Sequence, residues 1–269
     1  YRDMGCEVIE LFCEPDGLFP NHHPDPTVEA NMRDISRSVV EEGADLGIAF
    51  DGDGDRIGVV DGGGRIVRGD LLLLVFGLDL LDRKGPGQKL VFDVKCSQVL
   101  PEVFRAAGGE PIMWKTGHSL MKEKMKETGA PLAGELSGHI CVGGDLYRGF
   151  DDALFDACLL VDLLARKDGS LSEMVDRFPR YVSTPEIRIE VDEESKFSLV
   201  DEALEYFRER YDVIDVDGVR IQFGDGWGLL RTSNTQPVIV ARFEARTPER
   251  LQEIRDLVEG WLRSRGVGV

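Results

Sequence analysis

The sequence is poor in positive charge and in cysteine, and it has no long apolar run. Its 32 Lys and Arg stand against 50 Asp and Glu, a formal net charge of -18, with the acids spread along the chain. Nucleic acid and anionic membrane both select a basic footprint, so neither is expected as a partner. A phosphorylated ligand must be held by locally placed Arg and Lys, which screening over about 8 Å at physiological salt permits. Cys6, Cys13, Cys96, Cys141 and Cys158 are odd in number and include no Cys-x-x-Cys pair. Neither a disulfide framework nor a cysteine zinc site is indicated, and a reducing cytoplasm is the expected compartment. The longest apolar stretch, Leu71 to Leu81, is broken by Gly77 and Asp79 and falls short of the roughly 20 residues of a membrane span. It reads as a buried helix. The first residues carry no basic-then-apolar signal pattern, and the chain shows no internal repeat or low-complexity tract.

What is present is concentrated in Asp51-Gly52-Asp53-Gly54-Asp55-Arg56, three carboxylates on alternate residues with a guanidinium behind them. Carboxylates packed this closely repel unless a divalent ion such as Mg²⁺ neutralises them, and the glycines let the backbone turn tightly enough for convergence. Arg56 can hold a phosphate beside the metal. An EF-hand loop needs Gly at its sixth position and Glu at its twelfth; Arg56 and Gly62 stand there instead. A plain hairpin turn accounts for one Asp-Gly step, not for three carboxylates and an Arg. The flanks, 46–50 and 57–61, are short apolar runs that predict two strands joined by the acidic loop.

With 269 residues, 42% hydrophobic and 30% charged, the chain has room for two or three domains with real cores. Residues 1–5 read as a last helical turn closed by Gly5, followed by an alternating strand from Glu7 to Phe12, so the chain is expected to begin inside a domain. A helix from about Val28 to Glu42 precedes the strand pair. Helices over 69–82, 99–107 and 118–128 alternate with strands over 89–94 and 111–114, which predicts a second α/β domain with largely parallel pairing. Two helices, near 152–165 and 170–177, complete it. Beyond 179–185 the pattern changes: strands at 187–191, 219–223, 227–232 and 237–245 with helices at 197–211 and 248–263 describe a small α+β domain. Thr247 followed by Pro248 marks the start of the last helix.

Strand ends carry the remaining polar groups. The strand ending at Val94 is followed by Lys95, and the next one by Lys115-Thr116-Gly117-His118; ligands gather at the carboxyl ends of strands in open α/β sheets. Lys95 and His118 are candidates for phosphate clamps or acid/base groups. Gly134-Glu135-Leu136-Ser137-Gly138-His139 places a carboxylate, a hydroxyl and an imidazole in a glycine-flanked loop suited to sugar hydroxyls. Arg231-Thr232-Ser233-Asn234-Thr235 suits a phosphate dianion. His22-His23 has only Asp25 near it at ligand spacing and is set aside as a metal pair.

Taken in order, these motifs resemble those of the α-D-phosphohexomutase superfamily, over essentially the whole chain. Gly-Glu-Leu-Ser-Gly-His and Ser233-Asn234-Thr235 are similar to the bacterial phosphomannomutase/phosphoglucomutase branch. The resemblance implies an α/β multidomain protein: a partial α/β domain at 1–67, a complete α/β domain with a mixed sheet at 68–180, and an α+β domain with a four-stranded sheet and two helices at 181–269. It implies phosphate transfer between O1 and O6 of phosphorylated hexoses by way of a phosphoserine, with Mg²⁺ and glucose 1,6-bisphosphate as cofactors. Asp51, Asp53 and Asp55 would hold the metal, with Arg56 and Lys95 close to the transferring group. Lys95 and His118 would act as acid and base, and Thr116 and Gly117 would orient the sugar. Glu135, Ser137 and His139 would bind it, and Arg231, Ser233, Asn234 and Thr235 would bind its distal phosphate. The family's serine motif, Thr-x-Ser-His-Asn-Pro, occurs nowhere in the sequence. This chain alone is therefore expected to lack the phosphoryl carrier and to be inactive. The rival readings are a sugar-phosphate binding module without turnover and a Mg²⁺-dependent phosphatase with Asp51 as nucleophile.

Overall fold

A computed structural model describes residues 1–233 and 236–269. The chain divides into two compact units, one of residues 1–93, 100–112 and 117–178, the other of 94–99, 113–116 and 179–269.

The first unit opens with a 3₁₀ turn, Arg2–Met4, closed by Gly5 in the left-handed conformation (φ 90°), as the terminal sequence predicts. The strand expected over 7–12 is absent: residues 6–28 form neither helix nor strand. Alternation specifies a strand only where a partner edge accepts it, and among the described residues none pairs with this segment. A short 3₁₀ turn then leads into α1 (Arg33–Glu42), ended by Gly43 (φ 66°). β1 (Leu46–Phe50) and β2 (Ile57–Asp61) pair antiparallel with Phe50 opposite Ile57, so the acidic loop is the hairpin connection the flanks predict. β3 (Ile66–Val67) completes this three-stranded sheet.

α2 (Gly69–Lys84) is the buried helix expected from its composition; Leu72, Leu73 and Leu74 are fully enclosed. It packs closely on β4 (Lys89–Asp93), because a Cβ on Gly77 would meet Leu90 at 2.7 Å. α3 (Val99–Ala106), β5 (Glu110–Trp114), α4 (His118–Thr128), β6 (Leu132–Gly134), β7 (Ile140–Val142) and β8 (Phe150–Asp151) follow. The sheet order is β5-β4-β6-β7-β8. It is mixed: β4 and β6 run parallel, while β6, β7 and β8 run antiparallel through short loops. α5 (Ala153–Arg166) is capped by the Asp152 side chain and α6 (Leu171–Asp176) by a Ser170/Glu173 capping box.

The second unit is an antiparallel sheet covered by two helices. The four expected strands are β10 (Ile187–Glu190), β12 (Val219–Gln222), β13 (Gly226–Thr232) and β14 (Val238–Ala245). Two short ones, β9 (Val182–Ser183) and β11 (Asp212–Ile214), extend the sheet. α7 (Lys196–Arg208) and α8 (Pro248–Ser264) are the expected helices, the latter with Thr247 as N-cap and Pro248 at its start. Period-two alternation sorts the faces. Val219, Ile221, Leu230, Ile239, Ala241 and Phe243 join Phe207, Ile254, Val258 and Trp261 in the helix-side core. The intervening Arg220, Trp227, Leu229, Arg231, Arg242 and Glu244 are also buried, on the opposite face. There Trp227 and Leu229 pack with Val94 and Met113. That face carries charge into the interior.

Candidate functional site

The acidic loop is built around Asp51. Its Oδ1 accepts the backbone N–H groups of Gly54, Asp55 and Arg56 at 3.0, 3.0 and 3.1 Å, and its Oδ2 accepts Nε of Arg56 at 2.7 Å. Asp51 thus folds the loop back on itself, with Gly54 at φ 75° supplying the turn. Arg56 is held from its other side by Asp25 at 3.1 Å. Asp51, Asp53 and Asp55 converge, offering carboxylate oxygens within 4.8 Å of one another.

Electrostatics separate Asp51 from Asp55. Burial works to raise Asp51, but the hydrogen bonds and charge of Arg56 overcome it and hold its carboxyl below the usual range. Asp55 is more weakly supported, with Arg56 Nε 3.9 Å from its Oδ1. Burial first, then the hydrogen bond to Asp51 and the charges of Asp51, Asp53 and Asp151, push it up to about 6. A carboxylate so raised by its neighbours favours a proton or a metal ion, and an all-oxygen donor set suits the hard Mg²⁺.

The glycine-flanked loop 134–139 lies against the acidic one, and the two are joined through backbone. Ile57 N–H, just past the acidic loop, donates to Gly138 C=O at 3.1 Å; separately, Ala153 N–H at the start of α5 donates to Gly54 C=O at 3.0 Å and ties that helix to the acidic loop. Gly138, at φ 92°, is required here: a Cβ would meet Ile57 O at 2.4 Å. Glu135 is buried and accepts Gly117 N–H at 2.8 Å and the Ser137 hydroxyl at 3.4 Å. The ring of His139 stacks on that of His118, with centroids 5.4 Å apart and planes 16° from parallel. Burial, with the charges of Arg56 and His118, lowers the His139 pKa against the opposing pull of Asp151.

Asp151, missed in the sequence, stands at the centre of this group. His118 Nδ1 lies 3.1 Å and His139 Nδ1 3.4 Å from its Oδ2, and Lys122 Nζ lies 2.6 Å from its Oδ1. Burial would raise its pKa, but Lys122 and His139 help to hold it below the ordinary value. It sits on β8, a two-residue strand with no sequence signature, twelve residues beyond His139. Thus Asp51, Asp53, Asp55, Arg56, Gly117, His118, Glu135, Ser137 and His139 all belong to the first unit.

Lys95, Thr116, Arg231 and Ser233 belong to the second unit. Lys95 Nζ pairs with Glu186 at 2.7 Å. Burial would raise the Glu186 pKa, but Lys95, Arg242 and Arg231 lower it. Arg231 is buried and paired through Nε with Asp217 at 2.9 Å, and the same carboxylate oxygen accepts Thr116 N–H at 3.0 Å. Lys196 is 2% exposed and donates to Ser233 C=O at 3.0 Å and Gln236 C=O at 3.2 Å. Glu186, Asp217 and Lys196 carry no motif and were not anticipated. Asn234 and Thr235, two of the expected phosphate ligands, lie outside the described residues. His22 and His23 hold each other locally, His22 Nδ1 lying 2.9 Å from His23 O.

Three family descriptions match in chain order: phosphoglucomutase/phosphomannomutase alpha/beta/alpha domain II over residues 1–64, domain III over 68–181, and the C-terminal domain over 186–260. The chain belongs to the phosphoglucomutase/phosphomannomutase family. A family protein of Burkholderia thailandensis has a solved structure that superposes with a TM-score of 0.90 at 43% identity, covering 98% of this chain and 56% of that one. A phosphomannomutase/phosphoglucomutase of Pseudomonas putida is 50% identical over 256 residues, which is 94% of this chain and 55% of the relative. A phosphoglucomutase of Neisseria gonorrhoeae is 43% identical over 98% of this chain and 57% of its own length. The chain therefore spans little more than half the length of these family members. Among the described residues, no helix is long and apolar enough to cross a membrane.

Proposed function

We propose that this chain carries the metal, sugar and distal-phosphate sites of a phosphohexomutase that interconverts hexose 1-phosphate and hexose 6-phosphate through a phosphoserine and a bisphosphorylated sugar. The observation that carries this reading is the backbone-tied pair of loops, an acidic one with Asp51, Asp53, Asp55 and Arg56, and a hydroxyl-reading one with Glu135, Ser137 and His139. Phosphoryl transfer depends on positioning and on neutralising charge over the transferring oxygens, and this arrangement provides groups for both. Asp51, Asp53 and Asp55 would hold Mg²⁺, which when bound supplies charge neutralisation at the phosphoryl group. Arg56, fixed by Asp51 and Asp25, turns its remaining guanidinium nitrogen to a phosphoryl oxygen. His118 and Lys95 are the acid/base candidates of this reading. Thr116 and Gly117 orient the ring, Glu135, Ser137 and His139 read its hydroxyls, and Arg231, Ser233, Asn234 and Thr235 grip the distal phosphate. Glucose 1,6-bisphosphate as activator, a cytoplasmic setting and domain limits at 1–67, 68–180 and 181–269 belong to the same reading.

The phosphatase reading is weakened by Asp51 itself. Its Oδ1 is taken by three backbone N–H groups and its Oδ2 by Arg56; Oδ2 keeps a lone pair for a cation, but the bound guanidinium draws off the charge an attacking oxygen needs, so the carboxylate acts as an anchor and ligand. The deciding experiment is a coupled assay of this chain with glucose 1-phosphate and mannose 1-phosphate, Mg²⁺ and glucose 1,6-bisphosphate, beside a version extended to carry the serine motif. Turnover in the extended protein alone is the expected result. Equal turnover in the short chain would overturn the assignment of the carrier to a residue outside it, and steady phosphate release would restore the phosphatase.

A further inference from the structure

We propose that Asp55, His139 and Asp151 form a second cation site, for a borderline transition-metal ion such as Zn²⁺, adjacent to the all-carboxylate set and sharing Asp55 with it. The three ligand atoms lie within 4.8 Å of one another. His139 Nδ1 is 3.5 Å from Asp55 Oδ2 and 3.4 Å from Asp151 Oδ2. Those separations exceed ordinary hydrogen-bond lengths, and neither His139 Nδ1 nor Asp151 Oδ2, both enclosed atoms, makes a hydrogen bond. They do match the edges of a tetrahedron: nitrogen and oxygen ligands about 2.0–2.2 Å from Zn²⁺ stand about 3.3–3.5 Å apart. An octahedral Mg²⁺ would draw its adjacent ligands to about 3.0 Å.

The Asp151 side chain is 8% exposed, and its two oxygens are differently engaged. Lys122 takes Oδ1 at 2.6 Å, while Oδ2 points at the imidazoles. Burying a carboxylate oxygen without a hydrogen bond is costly, and a coordinated ion removes that cost. His118 Nδ1, 3.1 Å from Asp151 Oδ2, borders the fourth position. The donor chemistry separates the two sites, since imidazole suits Zn²⁺ whereas carboxylates alone suit Mg²⁺. This inference draws on the first unit's own side chains; it shares Asp55 and His139 with the mutase reading, and its test reads metal binding rather than turnover, so that either can fail alone.

The test is calorimetric titration of Zn²⁺ into this chain at saturating Mg²⁺, together with ¹⁵N spectra of its four imidazoles. The expected result is a Zn²⁺ site that shifts the His139 Nδ1 resonance, which Mg²⁺ alone leaves in place. His139→Gln weakens that Zn²⁺ binding at least tenfold and changes Mg²⁺ affinity less than twofold; Asp53→Asn does the reverse. Zn²⁺ affinity unchanged in His139→Gln overturns the proposal, whether the ion then sits on the carboxylates alone or on His22, His23 and Cys13. Should His139→Gln fail to fold, as judged by circular dichroism, the His139 resonance of the unaltered chain decides by itself.

Discussion

The two units bury charge in opposite ways. In the first, Asp51 has its counter-ion five residues on in Arg56, but Asp53, Asp55 and Asp151 crowd the same space, and the surplus is negative. In the second, Lys95, Arg231 and Arg242 surround Glu186 and Asp217 supports Arg231, so the surplus is positive. A chain with a formal charge of -18 thus holds a local basic cluster on a buried sheet face. The lesson lies in what each unit lacks: the first lacks a cation and the second lacks an anion. Removing charge should accordingly relieve one and damage the other.

The largest effect is expected in the second unit. Asp217→Ala leaves the buried Arg231 guanidinium and the Thr116 N–H without their shared acceptor. Loss of one partner of a buried pair costs about 3 kcal/mol, read as a fall in the urea midpoint at unchanged slope. Next is Lys196→Met, which keeps volume but strips Ser233 and Gln236 carbonyls of their donor. About 2 kcal/mol of stability should be lost, with weaker binding of glucose 6-phosphate.

For the first unit the sharper test is pH. With Asp55 at about 6, a proton competes with the metal, so Mg²⁺ affinity measured by calorimetry should fall about tenfold from pH 7 to pH 5. The sign for stability is also fixed. Asp55 is raised above its unfolded value, so the cost of ionising it is absent at low pH and appears as pH rises through about 6. Asp51 and Glu186 are depressed, so their contributions are present above their unfolded values and vanish as pH falls through their folded ones. The smallest effect is Asp55→Asn in metal-free protein, a gain of about 1 kcal/mol or less, because the site is open enough for solvent to screen much of the repulsion. Destabilisation by Asp55→Asn, or a neutral outcome for Asp217→Ala, would break the contrast between the units.

The same contrast explains how much was legible in the sequence. Asp51 to Arg56 are contiguous, and a loop whose Oδ1 anchor, turn glycine and guanidinium fall within six residues can be read directly. Glu135, Ser137 and Gly138 are equally local. Asp151 reaches His118 and His139 only because the antiparallel register of β7 and β8 brings it there, and pairing register is set by tertiary contacts. Lys95 with Glu186, and Lys196 with Ser233 and Gln236, are likewise joined across long stretches of chain. The helices were readable because apolar period and caps are local properties. The strand expected at 7–12 was not realised for the converse reason, since alternation without a pairing edge has nothing to enforce it.

The bond from Ile57 to Gly138 uses main-chain atoms only. The span between the cation-hungry carboxylates and the hydroxyl-reading side chains is therefore set by a ruler that side-chain substitution does not alter. Selection can retune which sugar is read at Glu135, Ser137 or His139 while the interval to the acidic loop stays constant. Gly138 lacks that latitude, because even a methyl group there would push the ruler apart.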